Sequence, residues 1–186
     1  RRQADRGRYE NEEGYLMERT GVITMMGNAL TLVGPALKAG DKAPDFTVLD
    51  ESLAPKTLED FKGKIKVISV TPSLDTPVCD LQLHWFNEDA AKQPEKVVVI
   101  NLSMDLPFAV KRFCATAGIE NVMALSDHRD ASFGTAYGVL IKELRLLTRS
   151  VFIVDKDDVV RYVQVVPEVT DEPDYEDAIK ALKTLL

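Results

Sequence analysis

Histidine and cysteine are scarce in this chain, which has two of each among its 186 residues. Two cysteines cannot build the multi-disulfide framework of a small secreted domain, and a chain of this length does not need one. A zinc site would require His84 and His128 to converge with both cysteines. The sequence therefore predicts neither a disulfide framework nor a metal centre.

Long apolar runs and an excess of basic charge are also missing. No run approaches the roughly 20 apolar residues that span a bilayer, and no signal-peptide pattern opens the chain. The net charge of −7 argues against non-specific binding to nucleic acid, which needs a basic face. We therefore expect a cytoplasmic protein that binds neither a membrane nor nucleic acid.

The length favours one domain, because 186 residues suffice for one sizeable core. Residues 1–16 are almost entirely polar, carry charges of both signs and show no hydrophobic periodicity. We interpret them as an N-terminal arm, a processed end or a cloning remnant. The predicted domain then covers residues 17–186.

Buried strands and helical segments alternate along that domain. Strands are predicted at 22–25, 29–33, 46–49, 64–70, 97–102, 122–125, 151–154 and 159–166, and helices at 77–91, 107–117, within 130–137 and at 173–185. Gly27-Asn28 marks a hairpin turn between the first two strands, and Gly118 is a predicted helix cap. This order predicts an α/β fold, in which a central mixed sheet has helices on both faces and an N-terminal β-hairpin is added. That is the layout of the thioredoxin fold.

The connection between the strand that ends at Val70 and the next helix holds a cysteine. Thr76 followed by Pro77 is typical of an N-cap and a first helical residue, which places Cys79 in the first turn. The unpaired N–H groups and the dipole at a helix N-terminus favour an anion, and hence the nucleophilic thiolate. Asp80 opposes this weakly, so we expect a cationic partner that these residues do not identify. A lone cysteine is more often a small buried apolar residue, and only this placement favours chemistry.

The motif Pro72-x-x-x-Thr76-x-x-Cys79 resembles the signature of the peroxiredoxins. Further segments, from about Val22 to the C-terminus, resemble the bacterial thiol peroxidase branch of that family, of the atypical two-cysteine type. They are Thr31-Leu32-Val33-Gly34, Gly40 to Phe46, Arg112-Phe113-Cys114, Gly118 to Val122, Leu125-Ser126-Asp127, Phe133-Gly134, Ala136 to Val139 and Glu172 to Tyr175.

This resemblance implies an antioxidant peroxidase of the thioredoxin fold that reduces alkyl hydroperoxides and hydrogen peroxide without a metal or a bound cofactor. Cys79 would attack the peroxide and become a sulfenic acid. The hydroxyl of Thr76 would bind the substrate and the thiolate, and Pro72 would shield the sulfur from water. Arg149 would stabilise the thiolate and the developing charge, although without the resemblance it is better interpreted as a surface arginine at a strand edge.

The resemblance also implies that Cys114 resolves the sulfenic acid. It would form an intramolecular disulfide with Cys79, which thioredoxin would reduce, in a protein that is a homodimer. The residues alone leave another interpretation open, because Val110 and Cys114 lie four apart on one helix and Cys114 could simply pack in the core. The same apolar helix bears Phe108, which we expect in the core, with a wall for an acyl substrate as the alternative. If both cysteines lie in intact helices, one or both helices must unwind locally.

Three other functions use the same cysteines. A Cys/His hydrolase is disfavoured, because His84 lies about 140° around the helix from Cys79. A disulfide reductase would need Cys-x-x-Cys, whereas Thr76 stands three residues before Cys79. A thiol-based redox sensor or binding module on the same fold remains the alternative, and catalytic turnover would distinguish it. His84-Trp85 stands where relatives of this family usually have two arginines. This departure is expected to affect reductant docking or substrate preference more than the chemical step.

Overall fold

The structure of the protein, a computed structural model, describes residues 17–90 and 92–186. The predicted arm at 1–16 and the last residue of the first predicted helix, Ala91, lie outside the described residues. The strands are β1 (Glu18–Met25), β2 (Asn28–Val33), β3 (Thr47–Leu49), β4 (Pro55–Thr57), β5 (Ile65–Val70), β6 (Val97–Ser103), β7 (Met123–Ser126), β8 (Leu140–Ile141), β9 (Leu146–Leu147), β10 (Ser150–Val154) and β11 (Val160–Val165). The helices are α1 (Pro77–Ala90), α2 (Pro107–Ala117), α3 (Ser132–Ala136) and α4 (Tyr175–Lys183), with a 3₁₀ turn at Leu58–Phe61.

Seven strands form a mixed sheet in the order β11-β10-β5-β6-β7-β3-β4. The central strands β5, β6 and β7 are parallel, while β10 and β3 pair with them antiparallel. Parallel strands end at the same edge of a sheet, so the connections from β5 into α1 and from β6 into α2 lie side by side. The amide N–H of Thr71, just after β5, donates to the carbonyl of Leu102 in β6 at 2.9 Å. This edge therefore brings the beginnings of both cysteine-bearing helices together.

Helices cover both faces of this sheet, as the sequence predicts. On one face Ile68 packs in a core with Phe133 of α3. On the other face Val67 packs in a core that also receives side chains from three helices, namely Leu83 of α1, Val110 of α2 and Leu182 of α4. Neighbouring residues of β5 enter different cores because side chains alternate along a strand. The predicted α/β architecture is confirmed.

The hairpin β1–β2 belongs to a second sheet with the order β1-β2-β8-β9. Its turn lies one residue earlier than predicted, at Met26-Gly27, and Met25 pairs with Asn28. Both turn residues have positive φ, 52° and 78°, as a tight hairpin turn requires. Strands β4, β8 and β9 were not predicted, because two or three residues are too few to show a periodicity.

Two apolar side chains in or next to the helices lie at the surface, and one of them, Phe108, is predicted in the core from the sequence. Phe108 is 66 % exposed and Leu186 is 49 % exposed. Phe108 lies two residues before the buried Val110, about 200° around α2, so both cannot face the sheet. Leu186 follows the end of α4 at Lys183, and therefore no longer shares the face of Ile179 and Leu182. Among the described residues, no helix is long and apolar enough to cross a membrane.

Candidate thiol site

Cys79 lies in the first turn of α1, as predicted from the sequence. The first hydrogen bond of the helix runs from the Asp80 N–H to the Thr76 carbonyl at 3.0 Å, which makes Thr76 the N-cap residue. Pro77 then occupies the first helical position, where its missing N–H removes no hydrogen bond. The Cys79 side chain is fully buried. Its sulfur thus lies close to unpaired helical N–H groups and is shielded from bulk water.

Arg149 supplies the cationic partner that the residues around Cys79 could not identify. It immediately precedes β10 and is only 2 % exposed. Its Nη2 donates to Cys79 Sγ at 3.3 Å, its Nη1 to Gln82 Oε1 at 2.7 Å, and its Nε to the Val169 carbonyl at 2.9 Å. Three bonds from three nitrogens fix the plane of the guanidinium, so the charge is directed at the sulfur. The interpretation of Arg149 as a surface residue is wrong.

Gln82 links this arginine to a buried polar chain on the sheet. Because a guanidinium only donates, the Gln82 amide oxygen must face Arg149 and its nitrogen must face away. That nitrogen donates to Ser69 Oγ at 2.8 Å, Ser69 Oγ donates to Asn101 Oδ1 at 3.3 Å, and Asn101 Nδ2 donates to Thr71 Oγ1 at 3.4 Å. All four side chains are buried. These hydrogen bonds cannot be recognised in the sequence, because Ser69 and Asn101 are isolated polar residues within mostly apolar strands and Gln82 is one of several polar residues of its helix.

Pro72 and Thr76 lie in the connection between β5 and α1, before Cys79. Pro72 is buried, whereas Thr76 is exposed. The Thr76 hydroxyl donates to the Ser73 carbonyl at 3.2 Å. Its oxygen keeps a lone pair for another donor, so an exposed hydroxyl stands within three residues of the buried sulfur.

Cys114 lies in the last turn of α2 and is half-buried. It packs against the core that contains Val110 and Leu83, so the predicted apolar stripe of α2 is present. Burial raises the pKa of the Cys114 thiol, and the negative charge of Glu51 raises it further. Cys79 and Cys114 are both free thiols, and each lies within an intact helix.

The two residues of the unusual pair His84-Trp85 contact different neighbours. His84 Nε2 lies 3.2 Å from Asp80 Oδ1 on the half-exposed side of α1. The Trp85 ring stacks on the Tyr175 ring at a centroid distance of 4.6 Å and so joins α1 to α4. Tyr175 interacts electrostatically with both Arg149 and Cys79, which places this aromatic pair beside the site.

The second histidine, His128, lies in the loop after β7. Its Nδ1 lies 3.1 Å from Ser126 Oγ, and the same serine oxygen accepts the His128 N–H at 3.3 Å. Each of the two histidines therefore has a partner other than Cys79, which does not fit a Cys/His hydrolase. Residues 17–90 and 92–186 contain no cluster of three or more histidine, cysteine, aspartate or glutamate side chains that could hold a metal ion.

Several known proteins with similar sequences are thiol peroxidases. The sequence pattern of the Redoxin family matches residues 38–179. The thiol peroxidase of Halalkalibacterium halodurans is 58 % identical over 164 residues, which cover 88 % of this chain and 98 % of the relative. The thiol peroxidase of Bacillus subtilis is 56 % identical over the same shares of the two chains. The similarity thus extends over nearly the whole of each relative.

Solved structures give the same result for the fold. A peroxiredoxin-like protein from Aquifex aeolicus superposes with a TM-score of 0.83 at 46 % identity. The superposition covers 90 % of this chain and 98 % of the other. The overall arrangement of strands and helices is therefore shared with a solved peroxiredoxin-like protein.

Proposed function

Because the chain belongs to the Redoxin family and is a thiol-dependent peroxidase of the thiol peroxidase branch of the peroxiredoxins, we propose that Cys79 is the sulfur that reduces the peroxide. The observation that carries this proposal is the bond of 3.3 Å from Arg149 Nη2 to Cys79 Sγ. A guanidinium held against the sulfur stabilises the thiolate, and it also faces the charge that develops on the peroxide oxygens. The position of Cys79 at the N-terminus of α1 acts in the same direction.

In the first step the Cys79 thiolate attacks one oxygen of a hydroperoxide ROOH. The S–O bond forms as the O–O bond breaks, and the sulfur loses two electrons. The RO⁻ leaving group takes up a proton and departs as the alcohol, or as water from hydrogen peroxide, while Cys79 becomes a sulfenic acid. The exposed Thr76 hydroxyl would bind the peroxide, and the buried Pro72 would keep water from the sulfur.

In the second step the Cys114 sulfur attacks the Cys79 sulfenic acid. An S–S bond forms and the oxygen leaves as water, so the disulfide lies within one chain. Both thiols are free and both helices are intact in the structure, and we propose that one or both helices unwind locally as this bond forms. A thioredoxin-type dithiol would then reduce the disulfide. We also propose that the protein is a homodimer, as its resemblance to this family implies, and that it lies in the cytoplasm.

The experiment is a peroxidase assay on two variants under the same conditions. Cys79→Ser is expected to be inactive with every reductant. Cys114→Ser is expected to reduce one equivalent of peroxide and then to fail in turnover with thioredoxin and its reductase. Full activity in Cys79→Ser would refute the proposal, and normal thioredoxin turnover in Cys114→Ser would remove only the resolving role. Stoichiometric oxidation of the unaltered protein without turnover would instead support a redox sensor.

A further inference from the structure

Asp105 joins the two connections that lead into the cysteine-bearing helices. It stands between the end of β6 and the start of α2. One carboxylate oxygen accepts the Ser73 hydroxyl at 2.7 Å, and the other accepts the Leu74 N–H at 2.7 Å. Ser73 and Leu74 belong to the connection that carries Cys79. The carboxylate therefore bonds a residue at the start of the Cys114 helix to the segment that precedes the Cys79 helix.

The carboxylate is itself held in place from the β6 side. The Ser103 hydroxyl donates to it at 2.8 Å, and the Ser126 hydroxyl donates to the Asp105 carbonyl. Hydrogen bonds to an ionised carboxylate are among the stronger ones in proteins. Asp105 is thus a fixed point against which the connection after β5 is held.

The hydrogen bonds of Asp105 are connected to the Cys79 site through Ser73. The Ser73 carbonyl accepts the Thr76 hydroxyl at 3.2 Å, and the Ser73 hydroxyl accepts the Asp75 N–H at 3.3 Å. Thr76 is the N-cap residue of the helix that begins just before Cys79. The direction of the Thr76 hydroxyl and the start of α1 therefore depend on where Asp105 holds Ser73.

We infer that Asp105 is a positioning residue whose contacts favour the first step of the reaction and oppose the second. This inference rests on the proposed roles of Cys79 and Cys114. Attack on the peroxide uses the connection as it is held here, with Thr76 oriented and Cys79 against Arg149. Disulfide formation requires the Cα atoms of the two cysteines to come within about 7 Å. In the local unwinding proposed above, Cys79 leaves Arg149 to reach Cys114. The bonds from Asp105 to Ser73 and Leu74 resist that movement.

The test separates the two steps in Asp105→Ala. The first rate is sulfenic acid formation after one equivalent of hydrogen peroxide, measured with the Cys114→Ser change also present. The second is disulfide formation from the preformed sulfenic acid with Cys114 intact. We expect the first rate to fall roughly tenfold, as when a group that orients a reacting residue is lost. The second should rise about threefold, because hydrogen bonds that resist the movement are gone. A residue that only stabilised the fold would not change the two rates in opposite directions.

Asp155→Ala is the matched control. The Asp155 carboxylate also accepts three hydrogen bonds, from Asp157 N, Val159 N and Arg161 Nε, but it lies at the other end of β10 from Arg149. Both rates should stay unchanged in it. Ser73→Ala removes one of the three bonds to the Asp105 carboxylate, together with the longer bond from the Asp75 N–H. It should show the same opposite changes, more weakly, even where Asp105→Ala does not fold.

Two results would overturn the inference about Asp105. One is a change of both rates in the same direction in Asp105→Ala or Ser73→Ala, and the other is no change in either. These results leave the proposed function intact, because they leave Cys79 and Cys114 as the residues that become oxidised. Failure of the proposed function would appear separately, as peroxidase activity in Cys79→Ser.

Discussion

The two cysteines of this protein lie at opposite ends of their helices. Cys79 is in the first turn of α1, where unpaired N–H groups and the positive end of the helix dipole favour a thiolate. Cys114 is in the last turn of α2, and its own carbonyl accepts the N–H that caps the helix at Gly118. The negative end of a helix dipole disfavours a thiolate there. The two cysteine side chains thus experience helix dipoles of opposite sign.

The charged partners of the two cysteines differ in the same sense. Cys79 accepts a hydrogen bond from the buried guanidinium of Arg149, whereas the pKa of Cys114 is raised by burial and by the carboxylate of Glu51. Arg149 and the N-terminus of α1 therefore present positive charge to the first cysteine before any substrate arrives. The second is kept as a thiol while it is packed against the core. This contrast fits a nucleophile that must react with peroxide and a partner that must wait for the sulfenic acid.

Removing the guanidinium should have the largest effect on this contrast. In Arg149→Met we expect Cys79 oxidation by hydrogen peroxide to slow by roughly a hundredfold, because a fixed donor to the reacting centre is lost. Arg149→Lys should restore little of the lost oxidation rate, since a lysine cannot make the three directed bonds of the guanidinium. The measurement is the second-order rate of sulfenic acid formation in single turnover.

Arg161→Met is the control, because Arg161 is a half-exposed arginine bonded to Asp155 at 2.7 Å, at the other end of β10. The rate of Cys79 oxidation in Arg161→Met should match that of the unaltered protein. If Arg149→Met also oxidised at the unaltered rate, the charged partner would not be what distinguishes the two cysteines.

A smaller loss in the rate of Cys79 oxidation is expected when Arg149 is kept and a hydrogen-bond partner that orients it is removed. Gln82→Met has a similar size and no amide, so it leaves Arg149 Nη1 and Ser69 Oγ without this partner. We expect Cys79 oxidation to slow roughly tenfold, as when a group that orients a reacting residue is lost. Gln93→Met is the matched control, because the Gln93 side chain donates to Asp89 Oδ2 at 2.7 Å, near the other end of α1 from Cys79. Equal rates in the two variants would show that Arg149 is oriented without Gln82.

The half of the contrast that involves Cys79 could largely be predicted from local sequence. Thr76-Pro77 determines where α1 begins, and the alternating strands and helices determine which edge of the sheet it begins at. A helix start depends on a few adjacent residues, so it can be recognised in one sequence. The position of Cys114 on an apolar stripe followed from the same kind of periodicity.

The partners of the two cysteines could not be derived in this way. Arg149 and Gln82 lie 67 residues apart, and Asp105 lies 31 residues beyond Leu74. Such contacts are set by the register of β10 and β6 against β5, which composition and periodicity do not reveal. Arg149 was assigned only through resemblance to a family. Phe108 shows the same limit, since its apolar character suggested burial while the rotation of α2 turned it outward.

The smallest expected effect concerns the charge beside Cys114. Because the carboxylate of Glu51 raises the pKa of the Cys114 thiol, Glu51→Gln should lower that pKa, although burial, the larger cause, remains. At any pH below the pKa the thiolate fraction then increases, so alkylation of Cys114 by iodoacetamide should become faster. Glu51 is exposed and lies 3.7 Å from Lys111, so we expect no more than about a threefold change.

The measurement is the alkylation rate of Cys114 against pH in protein that also carries Cys79→Ser. Its profile should move to lower pH in Glu51→Gln. Glu59→Gln is the control, because Glu59 is also an exposed carboxylate paired with a lysine, Lys62, and does not act on Cys114. Added salt should shift the profile of the Glu51 protein towards that of Glu51→Gln and leave the variant itself nearly unchanged. If all profiles coincide, burial alone keeps Cys114 protonated, and the contrast between the cysteines rests on packing and helix position rather than on opposite charges.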